Sequence, residues 1–219
     1  MKSKVSFVPI VMLGGGGHAS VLVDILRLQG REILAVVSPD DLSLRKVFEG
    51  LKHLSKDEDV LQYKVEDVLL VNGIGALPGS NVRFKVGQYF SGLGYRFETI
   101  VSPHAIISPY AELAEGVQVL HGAIVQSGVT IAQHSIINTK ALVEHDCRIG
   151  RYNHLAPGAV LCGQVVTQQQ AYIGAGATVI QNLTLGQQCT VAAGATVVRD
   201  LANNSTVYPR RPTVKKESQ

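Results

Sequence analysis

From Val101 to Val197 an aliphatic residue returns at every sixth position: Val101, Ile107, Leu113, Val119, Val125, Ile131, Ile137, Val143, Ile149, Leu155, Leu161, Ile173, Val179, Leu185, Val191 and Val197, with Thr167 the one exception. Two positions before most of them stands a small residue, among them Ala123, Ala141, Cys147, Ala159, Ala177, Cys189 and Ala195. A helix repeats near 3.6 and a half-buried strand near 2, so a period of six fits neither. It fits a solenoid of short strands, the hexapeptide β-helix, in which each aliphatic side chain stacks on its equivalents in neighbouring coils. No coil buries its apolar face alone, so stability comes from stacking. An alternating β-sandwich would drift out of register at its loops, and no drift occurs.

The first hundred residues follow other periods. Val8 to Leu13 is an apolar run that suits a buried strand, Gly14 to Gly17 a loop, and Ala19 to Leu28 a helix with Val21, Ile25 and Leu28 on one face. Gly30 ends that helix and Ile33 to Val37 makes a second strand. Val68 to Val71 and Tyr95 to Ile100 read as further strands, with Val82 to Leu93 as the helix between them. The expected architecture is a small Rossmann-like parallel α/β domain over residues 1–100 and a parallel β-helix over 101–208. A tail over 209–219 follows.

Composition narrows this picture. The chain has 219 residues, 46% hydrophobic and 17% charged, as a globular core requires. A net charge of +3, with Arg210, Arg211, Lys215 and Lys216 in the tail, argues against nucleic acid as partner. Cys147, Cys162 and Cys189 form no CxxC pair, and two of them occupy the small-residue phase, which reads as core filler in a reducing compartment. Lys2 and Lys4 before an apolar run faintly resemble a signal peptide, but glycines and a helical pattern interrupt it. No stretch reaches the length of a membrane span. The expected location is the cytoplasm.

Gly14-Gly15-Gly16-Gly17-His18-Ala19 satisfies G-x-G-x-x-A between a strand and a helix, where a phosphorylated ligand can meet free N–H groups. No Gly-Lys-Ser/Thr follows, so a P-loop is excluded. Ser38 stands where an acid is expected at the end of the second strand, with Asp40 and Asp41 just beyond. A cationic His18 would oppose the helix dipole, so it is either a ligand contact, to a diphosphate or an acceptor group, or a lone surface histidine.

His121, His134, His145 and His154 fall inside the repeat, 13, 11 and 9 residues apart, so no two share one six-residue turn. Zinc binding is therefore poorly supported, and no metal is expected. Only His145 has carboxylate neighbours, in Val143-Glu144-His145-Asp146, and Asn138, one hexapeptide before Glu144, is placed to add a polar contact on an adjoining face, so His145, Asp146, Glu144 and Asn138 are the catalytic candidates. A neutral imidazole fixed by a carboxylate is the natural general base near neutral pH. A solvated turn is the competing account.

With the glycine loop, the αβ unit, the hexapeptide array and Asn138-Thr139…Glu144-His145-Asp146-Cys147 together, residues 8 to about 208 resemble a family of bacterial sugar acetyltransferases. These join a small Rossmann-like domain to a left-handed β-helix, and include sialic acid O-acetyltransferases and the N-acetyltransferases of perosamine and bacillosamine synthesis. The resemblance implies a homotrimer with active sites between protomers, acetyl-coenzyme A in the groove between β-helices, and a UDP-linked amino sugar on the first domain. By it His145 is the general base tuned by Asp146. Gly16, Gly17, His18, Gly75 and Asp40 bind the nucleotide-sugar, and His154, Gly163, Ala175 and Ala193 meet coenzyme A. Ser38, the Pro78-Gly79-Ser80 insertion, Thr167-Gln168 and Tyr208-Pro209-Arg210-Arg211 depart from the pattern. Sugar O-acetylation, a nicotinamide-dependent oxidoreductase resting on the glycine loop, and a non-catalytic trimeric sugar-binding scaffold remain as alternatives.

Overall fold

The computed structural model describes residues 7–209, so Lys2, Lys4 and the basic tail from Arg210 lie outside the described residues. In the first domain β1 (Ile10–Leu13) leads through the glycine loop into α1 (Gly17–Leu28). Then come β2 (Ile33–Val37), β3 (Lys52–Leu54), β4 (Leu69–Asn72) and α2 (Val82–Gly92). The four strands are parallel, in the order β3-β2-β1-β4. Ile10 and Met12 of β1 pack with Leu22 and Ile25 of α1 on one face, while Val11 and Leu13 pack with Phe90 and Tyr95 on the other. A strand covered on both faces reads as an unbroken apolar run.

Two expectations need correction here. Tyr95 to Ile100 is not a strand of this sheet: Phe97 makes a single bridge to Leu70, and the rest turns toward the second domain. The Phe97 N–H donates to Glu115 Oε1 at 2.7 Å and Thr99 Oγ1 donates to the Ala114 carbonyl at 3.0 Å. Ile100 and Val101 then pair with Gln118 and Val119. The fourth strand is instead β3, at the opposite edge beside β2, whose burial falls on Leu54 alone, too little apolar alternation to announce a strand.

From Ile100 onward the chain winds through three parallel sheets, each coil returning eighteen residues later, as in Ile131↔Ile149 and Ile149↔Thr167. This is a left-handed β-helix. The strands are two-residue ladders rather than six-residue strands, because the other four residues of each hexad are used in turning the corner. At those corners a second period appears that residue type conceals. Every sixth residue from Gly116 to Gly194 has positive φ, including Lys140, Asp146, Tyr152, Gln164 and Gln188. A side chain in that region costs about 1–2 kcal/mol, which the coil-to-coil backbone bonds offset.

The aliphatic positions form one continuous buried core. Cys147 lies in it and Cys189 is likewise buried; both are free thiols, donating to the carbonyls of Cys162 at 3.2 Å and Ala202 at 3.0 Å. Thr167 keeps its place because its Oγ1 accepts from Asn153 Nδ2 at 3.0 Å and from the Gly150 N–H at 3.2 Å. After Val197 the period slips, and Val207 pairs with Val191.

The two domains share a core, since Ile100 and Leu120 pack against α1. Behind the glycine loop, Gly73 leaves no space for a methyl group. A Cβ there would sit 2.7 Å from Met12 Sδ, 2.8 Å from Ala19 Cβ and 2.9 Å from the Leu13 carbonyl. Gly73→Ala is expected to lower stability by about 1–3 kcal/mol, read as an earlier urea midpoint.

Candidate active site

The glycine loop opens into a cleft of about 830 Å³ whose wall includes Gly14 to His18, Pro39, Asp40, Asp57, Gly75, Asn138 and His154. It therefore joins both domains. Gly16 is the N-cap of α1 and Gly17 and His18 begin its first turn, two residues earlier than the apolar spacing predicted. The first helical bond runs from the Ser20 N–H to the Gly16 carbonyl, so the N–H groups of Gly17, His18 and Ala19 are left for other acceptors. A Cβ on Gly16 or Gly17 would meet nothing within 4 Å, whereas one on Gly15 would meet Ser38 Cβ at 2.8 Å. The loop thus needs Gly15 for packing and leaves open space over Gly16 and Gly17.

Ser38 is buried against that loop, and its hydroxyl accepts from the Asp40 N–H at 3.2 Å. An acid at position 38 would be buried with it. The acidic groups at the cleft are instead Asp40 and Asp57, the second unnoticed in the sequence and pushed up by burial and by neighbouring Glu58. Gly75 borders His18, its Cβ direction ending 3.6 Å from the histidine Cβ.

His18 is neither free on the surface nor alone. Its Nε2 lies 2.8 Å from Oε1 of Gln118, a buried residue of the β-helix that periodicity did not mark. Burial, and then the nearby Arg83 guanidinium, push its pKa down to about 3. Arg83 is itself buried without a carboxylate, held by the carbonyls of Asn72 and Ile74, each at 2.7 Å, and of His134 at 3.1 Å. Burial lowers it to about 9, which leaves it charged at neutral pH.

His154 is buried at the domain junction: Nδ1–H donates to the Ala76 carbonyl at 2.9 Å, and Nε2 accepts from Asn138 Nδ2 at 3.0 Å. Asn138 therefore serves His154 rather than the Glu144-His145-Asp146 corner, to which a polar contact was expected. Its Oδ1 is taken by the Thr139 N–H at 2.7 Å. Burial, and then Arg83, lowers His134 to about 4; burial lowers His154 to about 4 against the opposing Ala76 bond. Both folded values lie below the unfolded value of about 6.5, so the unfolded chain binds more protons between the two. Stability is then fully present above pH 6.5 and falls as pH drops toward 4. The urea midpoint is expected to decrease steadily over that window.

His145 projects from a different corner, next to the positive-φ residue Asp146. Its Nδ1 lies 2.9 Å from Asp146 Oδ2, with both side chains more than half exposed. Asp146 is thus the orienting carboxylate; Glu144 makes no side-chain hydrogen bond among the described residues. The imidazole lies over Gly163, where a Cβ would come within 2.6 Å of both Cε1 and Nε2. Gly128, one coil below, likewise clears space for Asp146. Each glycine stands one coil from the residue it accommodates, a signal that the eighteen-residue return carries and the six-residue period hides.

Ala175 and Ala193 are exposed on a third line, the corner where Gly158, Gly176 and Gly194 bond back to Thr139, Pro157 and Ala175. No group of three or more metal-ligating side chains gathers among the described residues. No helix among them is long and apolar enough to cross a membrane. One chain therefore brings together the glycine loop, His18, Asp40, Gly75, Asn138 and His154, and holds His145, Asp146 and Gly163 apart from them.

Comparison with known proteins gives this geometry a family. The PglD N-terminal domain profile matches residues 9–86. GDP-perosamine N-acetyltransferase of Escherichia coli O157:H7 is 25% identical over 168 residues, 75% of this chain and 74% of that protein. A histidine-to-alanine variant of GDP-perosamine N-acetyltransferase from Caulobacter crescentus, solved with CoA and GDP-perosamine, is 30% identical. It superposes with a TM-score of 0.83 over 97% of this chain and 99% of that one. The acetyltransferase domain of PglB from Neisseria gonorrhoeae FA1090, solved with acetyl coenzyme A, shares the fold at 24% identity. Its TM-score is 0.83 over 95% of this chain and 100% of that one. The chain belongs to the sugar acetyltransferase family and is an acyltransferase.

Proposed function

We propose that the protein transfers the acetyl group of acetyl-coenzyme A to the amino group of a nucleotide-linked amino sugar, with UDP as the nucleotide and a 4-amino-4,6-dideoxy sugar as acceptor, for bacterial surface glycan synthesis. The observation that carries this reading is the His145–Asp146 pair. Asp146 accepts the Nδ1 proton, so the lone pair is on Nε2, which has no hydrogen-bond partner among the described residues. His145 takes a proton from the amine as its nitrogen bonds to the thioester carbon; the C–S bond breaks, and His145 returns the proton to the leaving thiolate. No covalent enzyme intermediate is needed.

The donor fits the exposed corner of Ala175 and Ala193, where small side chains and Gly176 and Gly194, with nothing within 4 Å of a Cβ, leave a bare backbone edge. Ala175, Ala193, Gly163 and His154 are its proposed contacts; Gly16, Gly17, His18, Gly75 and Asp40 are those of the nucleotide-sugar. His145 is not among the residues that line the cleft, which supports a homotrimer whose sites are completed by a neighbour. Light scattering of the purified protein is expected to give three times the chain mass of 23.4 kDa. The proposed location is the cytoplasm.

GDP is the second reading, favoured by the two GDP-perosamine relatives. Thiol release from acetyl-coenzyme A, measured against UDP- and GDP-linked amino sugars, tests both. Turnover with UDP-linked acceptors and a product that resists hydroxylamine supports UDP and an amide. Turnover with GDP-linked acceptors alone moves the nucleotide, a hydroxylamine-labile product moves the bond to an ester, and no turnover rejects the proposal.

A further inference from the structure

A chain of hydrogen bonds at the junction of the two domains fixes where the His18 proton resides. The Asn72 carbonyl can only accept. It receives Arg83 Nη1 at 2.7 Å and Gln118 Nε2 at 2.8 Å, so the amide nitrogen of Gln118 must face it. Reversing the amide would set two oxygens against each other. Gln118 Oε1 therefore faces His18 Nε2, at 2.8 Å, and as an acceptor requires a proton there.

Asn72 is itself held. Its Nδ2 donates to the Arg83 carbonyl at 3.0 Å and its Oδ1 accepts from the Ile74 N–H at 3.2 Å. Gln118 and Asn72 are each 1% exposed, so water does not compete for these bonds. With Nε2 protonated and the ring neutral, Nδ1 carries a lone pair. It has no partner among the described residues, and His18 borders the cleft.

We propose that Gln118 is a positioning residue that locks His18 as the Nε2–H tautomer, so that Nδ1 accepts a hydrogen bond from a hydroxyl or amino group of the bound sugar instead of donating to its phosphates. This rests on the proposed nucleotide-sugar reading of the cleft. Burial beside Arg83, which holds His18 well below the usual histidine range, keeps the ring neutral throughout the working pH. The phosphates are left to the free N–H groups of α1, which suit an anion.

Nitrogen-15 spectra of the full-length protein labelled at histidine, with His18→Ala as the assignment control, read the tautomer directly. Wild type is expected to show a protonated Nε2 and an unprotonated Nδ1 at pH 7, and Nδ1 is expected to move upfield when the UDP-amino sugar saturates the cleft. Gln118→Met is expected to release the tautomer into a mixture and to raise KM for the nucleotide-sugar about three- to tenfold, the worth of one neutral hydrogen bond, with KM for acetyl-coenzyme A unchanged. Gln118→Glu, which favours a doubly protonated ring, is expected to raise it further. A His18 protonated on Nδ1 in wild type, or a Gln118→Met spectrum identical to wild type, overturns the proposal even in a fully active enzyme. Should Gln118→Met not fold, the wild-type tautomer and its response to the sugar decide alone. A protein that keeps the tautomer but neither shifts with nor turns over any nucleotide-sugar overturns the acceptor role and the functional reading together.

Discussion

His145→Ala is expected to reduce kcat by about 10²- to 10⁴-fold, with little change in KM for either substrate. The imidazole is more than half exposed and touches Asp146 rather than the core, so its loss removes proton transfer without a cavity or a buried orphan. The thermal midpoint is expected to stay within a degree or so of wild type. Asp146→Asn gives a graded companion. Asparagine tolerates the positive φ of 60° at this corner, but it no longer stabilises an imidazolium, so a smaller fall in kcat is expected. Steady-state kinetics with thiol detection, beside a melting curve, checks both variants. Unchanged kcat in His145→Ala would sink the assignment of the base.

Gly163→Ala is expected to give the second largest effect, a fall in kcat of about 10- to 100-fold. Gly163 does not have positive φ, so its backbone accepts a side chain. What it cannot accept is a methyl group 2.6 Å from His145 Cε1 and Nε2. The imidazole is the free end of a flexible side chain and will swing aside, so the cost falls on its aim, with stability nearly unchanged. A misplacement of about 1 Å is enough for a loss of this size. If kcat survives and only KM for acetyl-coenzyme A rises, Gly163 serves the donor contact that the family resemblance assigned to it, and not the base.

How far the sequence reached can be judged at particular residues. The six-residue period was legible because each aliphatic side chain of the repeat must point into the same narrow core, while the eighteen-residue return came only with the strand pairing. His145 was legible because it alone among the β-helix histidines has carboxylate neighbours, and its partner Asp146 is adjacent. Gln118, Asp57 and Arg83 were not. Each acts on something far along the chain: Gln118 on His18, Asp57 at the cleft rim, Arg83 on His134. A polar residue at an outward-facing position looks solvent-exposed until a second domain covers it.

Local periodicity by itself therefore determined the β-helix, the βαβ unit with its glycine loop, and the adjacent His145–Asp146 pair, because each follows from neighbouring residues and a fixed repeat. Only the tertiary structure decided which groups the cleft contains. It moved Tyr95 to Ile100 out of the sheet, sent Asn138 to His154, and set Gln118 against His18 from across the domain junction. The physical reason is that burial between two domains turns polar side chains into obligatory hydrogen-bond partners, and the choice of partner depends on a docking that no repeat encodes.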